Sequence, residues 1–344
     1  MLSITGSASS KICLFLVRSF RTVNLCRAAG FMHLWYPAFV YFKQRLGVRL
    51  QKIVLDRPGA SCPNRDAATG RNGCVFCNPY GAGSGLAEAA PDLFVQWEHW
   101  RTHYGARARL FMAYFQSFTN THGPLEDLRG LLALAETFPA IAGIAIGTRP
   151  DCVDEAKLDA IAACGLPEVW LELGLQSAHN DTLVRIRRGH DVAASERAIR
   201  LAAERGIKVC GHLMAGLPGE EAEDFLDSIR WAAELPLAGL KLHNVYVARD
   251  TPLERDYLAG AYMPLGQRDY VALAAEALTL LPARVVIQRL LSDPAPDELV
   301  APDWVRLKSR THDAIRARLA AGKEWQGCRN DARNGVPAWF TLRK

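Results

Sequence analysis

From residue 49 onward the chain alternates short apolar runs, rich in β-branched residues, with longer segments whose apolar positions recur every three to four residues. The first pattern marks strands buried on both faces, and the second marks amphipathic helices that cover them. Runs at residues 49–56 (RLQKIVLD), 108–118 (ARLFMAYFQSF), 141–149, 168–177 (EVWLELGLQS), 208–218 and 239–248 predict six strands. Residues 125–138, 154–164, 191–205 and 220–235 predict helices between them. Asp191 stands where it can cap one helix, and Glu220, Glu221 and Glu223 bring negative charge to the positive end of another. Six such units in succession predict an α/β fold, a partial (β/α)6 TIM-like barrel of parallel strands that falls short of the closed eight-unit form.

Nearly every predicted strand ends in a polar or Gly-rich phrase: QSFTNT, GTRPD, GLQS, GLPGE and KLHN. In parallel β/α folds the carboxyl ends of the strands share one face, so phrases far apart in sequence converge on one mouth. The pattern changes at both ends of the chain. Residues 1–33 are Ser/Arg-rich, with no acid and one short apolar run, ICLFLV, too short to span a membrane. They are expected to form an extension outside the fold, either a leader-like segment or the product of an upstream start with Met32 as the true first residue. Residues 34–250 are expected to form the barrel, and residues 251–344 a C-terminal helical extension packed on it. The loop GAGSG at 81–85 lacks the Lys-Ser/Thr ending of a phosphate-binding loop and reads as linker.

Charge refines this picture. The net +5 is unevenly spread: residues 1–55 hold eight Lys or Arg and no acid, and residues 304–344 hold ten against three acids. The body between them is acidic. Basic ends suit RNA phosphates through counterion release, and they equally suit solvated Arg on surface helices. No later stretch has the uninterrupted apolar length of a membrane-spanning helix. Nine cysteines, an odd number unevenly spaced in a 344-residue chain, argue against a disulfide framework and for metal ligation in a reducing, cytoplasmic setting.

Three of them, Cys62, Cys74 and Cys77, fall within CPNRDAATGRNGCVFC. A structural zinc site closes with four protein ligands, whereas three leave a coordination position open. A [4Fe-4S] cluster on three thiolates keeps one iron free to bind a substrate or cofactor. The alternative is zinc on Cys74, Cys77, His99 and His103, in a C-x2-C…H-x3-H arrangement. It would have an unusually long gap, would strand Cys62, and would draw both histidines from what reads as an ordinary amphipathic helix.

A cysteine cluster after the first strand of such a chain resembles the radical S-adenosylmethionine (SAM) superfamily. The usual C-x3-C-x2-C becomes C-x11-C-x2-C here, which is similar to the radical domain of the elongator catalytic subunit. The CPNRD…CxFC phrase resembles a bacterial family of that group, with Asn72 in place of the first Gly of GGC. The resemblance spans roughly residues 34–310 and is carried also by YFQSFTNT, IGTRPDC, ELGLQS, RRGHD, GLPGE and KLH.

It implies a radical SAM enzyme that reductively cleaves SAM at a [4Fe-4S] cluster on Cys62, Cys74 and Cys77. By the same likeness Phe76 packs near adenine, and Gln116, Ser117 and Thr119 hold the methionine amino group. Arg149, beside Asp151, takes a carboxylate or phosphate; Gln176 and Ser177 contact ribose or methionine. Glu172 points inward from the face it shares with Gly174, Gly216 and Gly219 let backbone approach a flat ring, and Lys241 and His243 face substrate. Each has a plainer reading as core packing, turn or surface pair. Cys210 and His212 share a strand face and read as packing. A low-potential donor of flavodoxin or ferredoxin type and tRNA, through wobble-uridine modification, are the implied partners. A non-catalytic zinc- or cluster-bearing module and a small-metabolite enzyme are the competing readings.

Overall fold

The computed structural model describes residues 33–66, 71–81, 83, 87, 90–295, 297–330, 337 and 339. The expected extension at 1–33 therefore lies, save for His33, outside the described residues, as does most of the 81–85 loop. Seven strands form one parallel sheet: β1 (Leu50–Leu55), β2 (Leu110–Phe115), β3 (Ile141–Thr148), β4 (Glu168–Gln176), β5 (Lys208–Ala215), β6 (Gly239–Asn244) and β7 (Val286–Arg289). Each strand adds to the same edge in chain order. With the twist inherent to strands, this sequential winding curls the sheet into an open half-barrel. The backbone of Tyr36 and Pro37 pairs with Ile287 at the outer edge of β7, covering groups that would otherwise invite another strand.

All six predicted strands are present within a few residues of their expected ends. The seventh, β7, comes from the segment expected to be helical. It is four residues long, too short to display a strand period of its own. Among the described residues ten helices accompany the sheet: α1 (Ala38–Leu46), α2 (Leu93–Tyr104), α3 (Leu125–Glu136), α4 (Glu155–Ala162), α5 (Asn180–Arg185), α6 (Val192–Glu204), α7 (Ala222–Ala233), α8 (Pro252–Leu258), α9 (Gln267–Leu280) and α10 (Lys308–Gly322). Asp191 caps α6 by accepting from the Ala194 N–H at 2.7 Å, and Glu221 with Asp224 forms a reciprocal capping box on α7.

The two-residue period of the strands divides their side chains between helices and barrel interior. Ile53, Phe111, Ile144, Leu171, Leu173, Val209, Leu240 and Leu242 face the helical layer and form its main core. The opposite parity points inward and is stratified. At the base, the buried Glu168 carboxylate accepts from Trp170 Nε1 at 2.9 Å and Tyr41 Oη at 3.2 Å, with Arg45 and Lys208 beside it. Above it Phe42 of α1, Met112 and Trp170 make an apolar plug. Higher still lies a charged layer, and above that the mouth. Burying the Phe42 ring alone is worth about 1.5–3 kcal/mol, so the plug closes the base while the top stays open.

Candidate functional site

Each element above delivers its last inward residue to the mouth. A two-stranded hairpin, Arg65–Asp66 with Arg71–Asn72, projects the cysteine loop over it. Arg65 fastens the far limb of that loop, donating from its NH2 nitrogen to the Cys77 carbonyl at 2.9 Å and to that of Asn78. Asn64 fastens the near limb, since its carbonyl accepts from the Gly73 N–H at 2.7 Å and its Nδ2 donates to the Arg188 carbonyl at 3.2 Å and Cys74 Sγ at 3.4 Å. Gly73 has φ +87°, and a Cβ there would lie 2.9 Å from Arg65, so the hairpin accommodates glycine there.

Cys62, Cys74 and Cys77 line one cavity of about 180 Å³ together with Phe76, Gln116, Thr119, Arg149, Glu172, Gln176, Arg188, His212 and His243. The topology thus brings together the three thiols and residues from the ends of β2 through β6. Burial, then the neighbouring Cys74, pushes the Cys77 thiol up to about 11. Three thiols in one cavity wall, one of them kept protonated by burial, form a donor set that suits a cation able to share their charge.

Arginines bind the cysteine loop to the strand ends. Arg188 is buried; its Nε and one terminal nitrogen donate to the Gly174 carbonyl at 3.2 and 2.7 Å, and the other lies 3.6 Å from Cys74 Sγ. Arg149 is held in a fork by Asp151 at 2.9 and 2.7 Å and also donates to the Gly189 carbonyl. Its remaining nitrogen is sealed from solvent with no hydrogen-bond partner among the described residues. Such a charged, preoriented donor is costly unless a ligand meets it. Gln176 has φ +72° at a register skip against β5, an uncommon backbone for a non-glycine residue that turns its side chain into the cavity.

Below the mouth lies the charged layer. The fully buried Glu172 carboxylate meets Lys52 Nζ at 2.6 Å, Lys241 Nζ at 2.5 Å and His212 Nε2 at 2.7 Å. Burial alone would raise this carboxyl; the two ammonium groups and the histidine hold it well below the ordinary value. Lys241 also donates to Tyr114 Oη at 3.1 Å. Burial, then Lys241, lowers His212 to about 4, leaving it neutral at physiological pH.

Other expected site residues sit elsewhere. Ser177 does not line the cavity; it donates to Glu220 at 2.5 Å and accepts from the His179 N–H at 3.0 Å. Ser117 is buried but does not line the cavity, and Asp151 acts on it only through Arg149. Lys241 lies behind Glu172 rather than in the cavity wall. Gly216 and Gly219 are also outside the wall: Leu265 covers Gly216, and a Cβ on Gly219, φ +78°, would strike Arg185. Both serve a strand-to-helix turn. His99 and His103 are exposed on α2 and take no part in the cavity, which leaves the zinc arrangement without its histidines. His212, read as packing, is instead a cavity wall and a partner of Glu172. Arg188 and Asn64 stand within phrases the sequence displays, RRGHD and CPNRD, yet their contacts arise only from folding.

Two family models match the chain: the radical SAM superfamily over residues 69–232, a stretch that includes Cys74 and Cys77, and the Radical_SAM C-terminal domain over 237–321. Protein YhcC of Escherichia coli K12 is 37% identical over 263 residues, covering 76% of this chain and 84% of that protein. The chain belongs to the radical SAM superfamily. It is accordingly a radical SAM enzyme, and that superfamily works with SAM and a [4Fe-4S] cluster. A tRNA uridine(34) acetyltransferase of Dehalococcoides mccartyi is 32% identical over 210 residues, 60% of this chain but only 44% of that protein. In fold, the chain matches the archaeal Methanocaldococcus infernus Elp3 with a TM-score of 0.60 at 18% identity, over 78% of this chain and 63% of that one. No helix among the described residues is long and apolar enough to cross a membrane.

Proposed function

We propose that Cys62, Cys74 and Cys77 hold the [4Fe-4S] cluster, that SAM lies beside it in the cavity, and that the substrate is a uridine of tRNA. The observation that carries the cofactor reading is the shared cavity: three thiols from one loop, with no fourth cysteine in its wall, facing the unpaired nitrogen of Arg149. Three thiolates leave one iron open, and a carboxylate-bearing ligand satisfies that nitrogen. When bound, the cluster supplies the electron that cleaves SAM reductively and yields a carbon radical for hydrogen abstraction.

The chain's own residues do the rest. Arg188 and Asn64 donate toward Cys74 Sγ, and hydrogen bonds to cluster sulfurs tune their electron density. Arg149, fixed by Asp151, orients a carboxylate. Phe76, Gln116, Thr119 and Gln176 line the same cavity and supply its contacts to the ligand. Glu172 gives the Lys52 and Lys241 side chains a shared counter-charge and ties the floor together. Apolar layers below exclude water, which protects a radical from side reactions.

The tRNA reading rests on the likeness to the D. mccartyi enzyme and on charge. A groove at the amino-terminal ends of β1 and β2 is lined by Lys43, Arg49, Arg107 and Arg109 and by no acid, which suits a phosphate backbone. A low-potential flavodoxin or ferredoxin is the proposed reductant. Comparative nucleoside mass spectrometry of tRNA from cells with and without the gene tests the substrate. Loss of one modified uridine supports it, and an unchanged profile removes it while leaving the cofactor reading intact.

A further inference from the structure

A second cavity of about 480 Å³ adjoins the first, sharing Phe76, Cys77, Gln116, Gln176, His212, His243 and Arg289 with it, but not Cys62, Cys74, Arg149 or Arg188. Its size falls in the range of small-molecule sites and is enough for a nucleoside-sized group. It lies on the β7 side, where its wall holds neither Arg149, assigned to SAM, nor Arg188, assigned to the cluster. We propose that this cavity is the substrate subsite and that Arg289, the last residue of β7, binds an anionic group of the substrate there, a phosphate or a carboxylate. The proposal deepens the reading above and rests on it for the substrate being a nucleoside.

The case is one of charge accounting in a partly enclosed space. Arg289 is half-buried and lines both cavities, and no described residue accepts a hydrogen bond from its guanidinium or forms an ion pair with it. The two acids in the same wall are already engaged. Asp293 pairs with Lys308. Glu298 accepts from Tyr246 Oη at 2.7 Å, Asn78 Nδ2 at 3.0 Å and the Ala295 N–H at 3.2 Å. The cavity therefore keeps one uncommitted guanidinium. Lys308 feels it as well, since burial and then the Arg289 charge lower its ammonium. His243, one strand over, presents an Nε2 that is sealed from solvent and has no hydrogen-bond partner among the described residues. A guanidinium fork with a free ring nitrogen nearby matches an oxyanion attached to a group that also donates a hydrogen bond. Because Arg289 lines both cavities, a substrate held by it would lie beside the cavity assigned to the cofactors.

The test uses cluster-loaded protein with SAM under anaerobic conditions, titrated calorimetrically with inorganic phosphate, uridine 5'-monophosphate, uracil-5-carboxylate and uridine. At least one anionic probe is expected to bind about tenfold or more tighter than uridine, with that gain lost in Arg289→Gln and partly kept in Arg289→Lys. SAM affinity is expected to stay the same in all three proteins, which also reports that the variants fold. Preference between the phosphate and carboxylate probes identifies which oxyanion the site takes. Equal affinity of all probes, or loss of SAM rather than probe binding in Arg289→Gln, overturns the proposal. Because the probes are free molecules, an unchanged tRNA profile would remove the tRNA reading without touching this result.

Discussion

Glu172 offers the sharpest test of how the barrel interior is built. Replacing it with Gln keeps the shape but removes the charge that Lys52 and Lys241 meet at 2.6 and 2.5 Å, with His212 at 2.7 Å. Lys241 is almost wholly buried, so its ammonium is left without a counter-charge or must give up its proton. Breaking a buried pair in this way costs about 3–5 kcal/mol. At a urea slope of about 3 kcal/mol/M, the unfolding midpoint at pH 7 falls by about 1–1.7 M. The Glu172→Gln/Lys241→Met double variant recovers at least about 1 kcal/mol of that loss, because the stranded charge is gone.

The pH dependence has a definite sign. The Glu172 carboxyl is depressed in the folded state, so its contribution is fully present above the unfolded value of about 4.3 and disappears as pH falls through the folded value. The Glu172 contribution to the gap between wild type and Glu172→Gln thus narrows on acidification below about pH 4. A midpoint shift under about 0.3 M at pH 7, or a gap that widens in acid, would refute the reasoning.

Arg149→Gln removes the charge-assisted donor aimed into the cluster cavity and is expected to weaken SAM binding by about 10–150-fold, measured by equilibrium dialysis on cluster-loaded protein. Arg188→Met leaves Cys74 Sγ and the Gly174 carbonyl without their donor; iron retention after desalting is expected to drop, and the cluster's reduction potential to shift, whereas an unchanged potential would show that the contact does not tune the cluster. Gly219→Ala forces an L-residue into φ +78° and is expected to cost about 1–2 kcal/mol of stability in urea unfolding, with SAM affinity within about twofold of wild type, as fits a turn lying outside the cavity.

The strand pattern was legible because most of these strands are buried on both faces, which leaves continuous apolar runs such as LFMAYF in β2. β7 was not, since four residues after Pro282 carry no period, and with it Arg289 was hidden. The three cysteines were legible as a spacing, and Glu172 as an acid in the middle of an apolar strand, which needs a partner. Which partners it has could not, since Lys52, Lys241 and His212 come from three other strands and meet it only through register. His212 was misread for that reason. Gly219 and Ser177 looked like site residues because strand-end phrases combine ligand contacts with turn chemistry, and spacing alone does not separate them.

The central claim is that three thiolates hold a cluster with one open iron that SAM can occupy. Anaerobic reconstitution followed by metal analysis and detection of 5'-deoxyadenosine under a strong reductant tests it most directly. The account predicts about four irons per chain and reductive release of 5'-deoxyadenosine, both lost in Cys62→Ala, Cys74→Ala and Cys77→Ala. Tightly bound zinc without SAM cleavage, or full cleavage in Cys62→Ala, would contradict it.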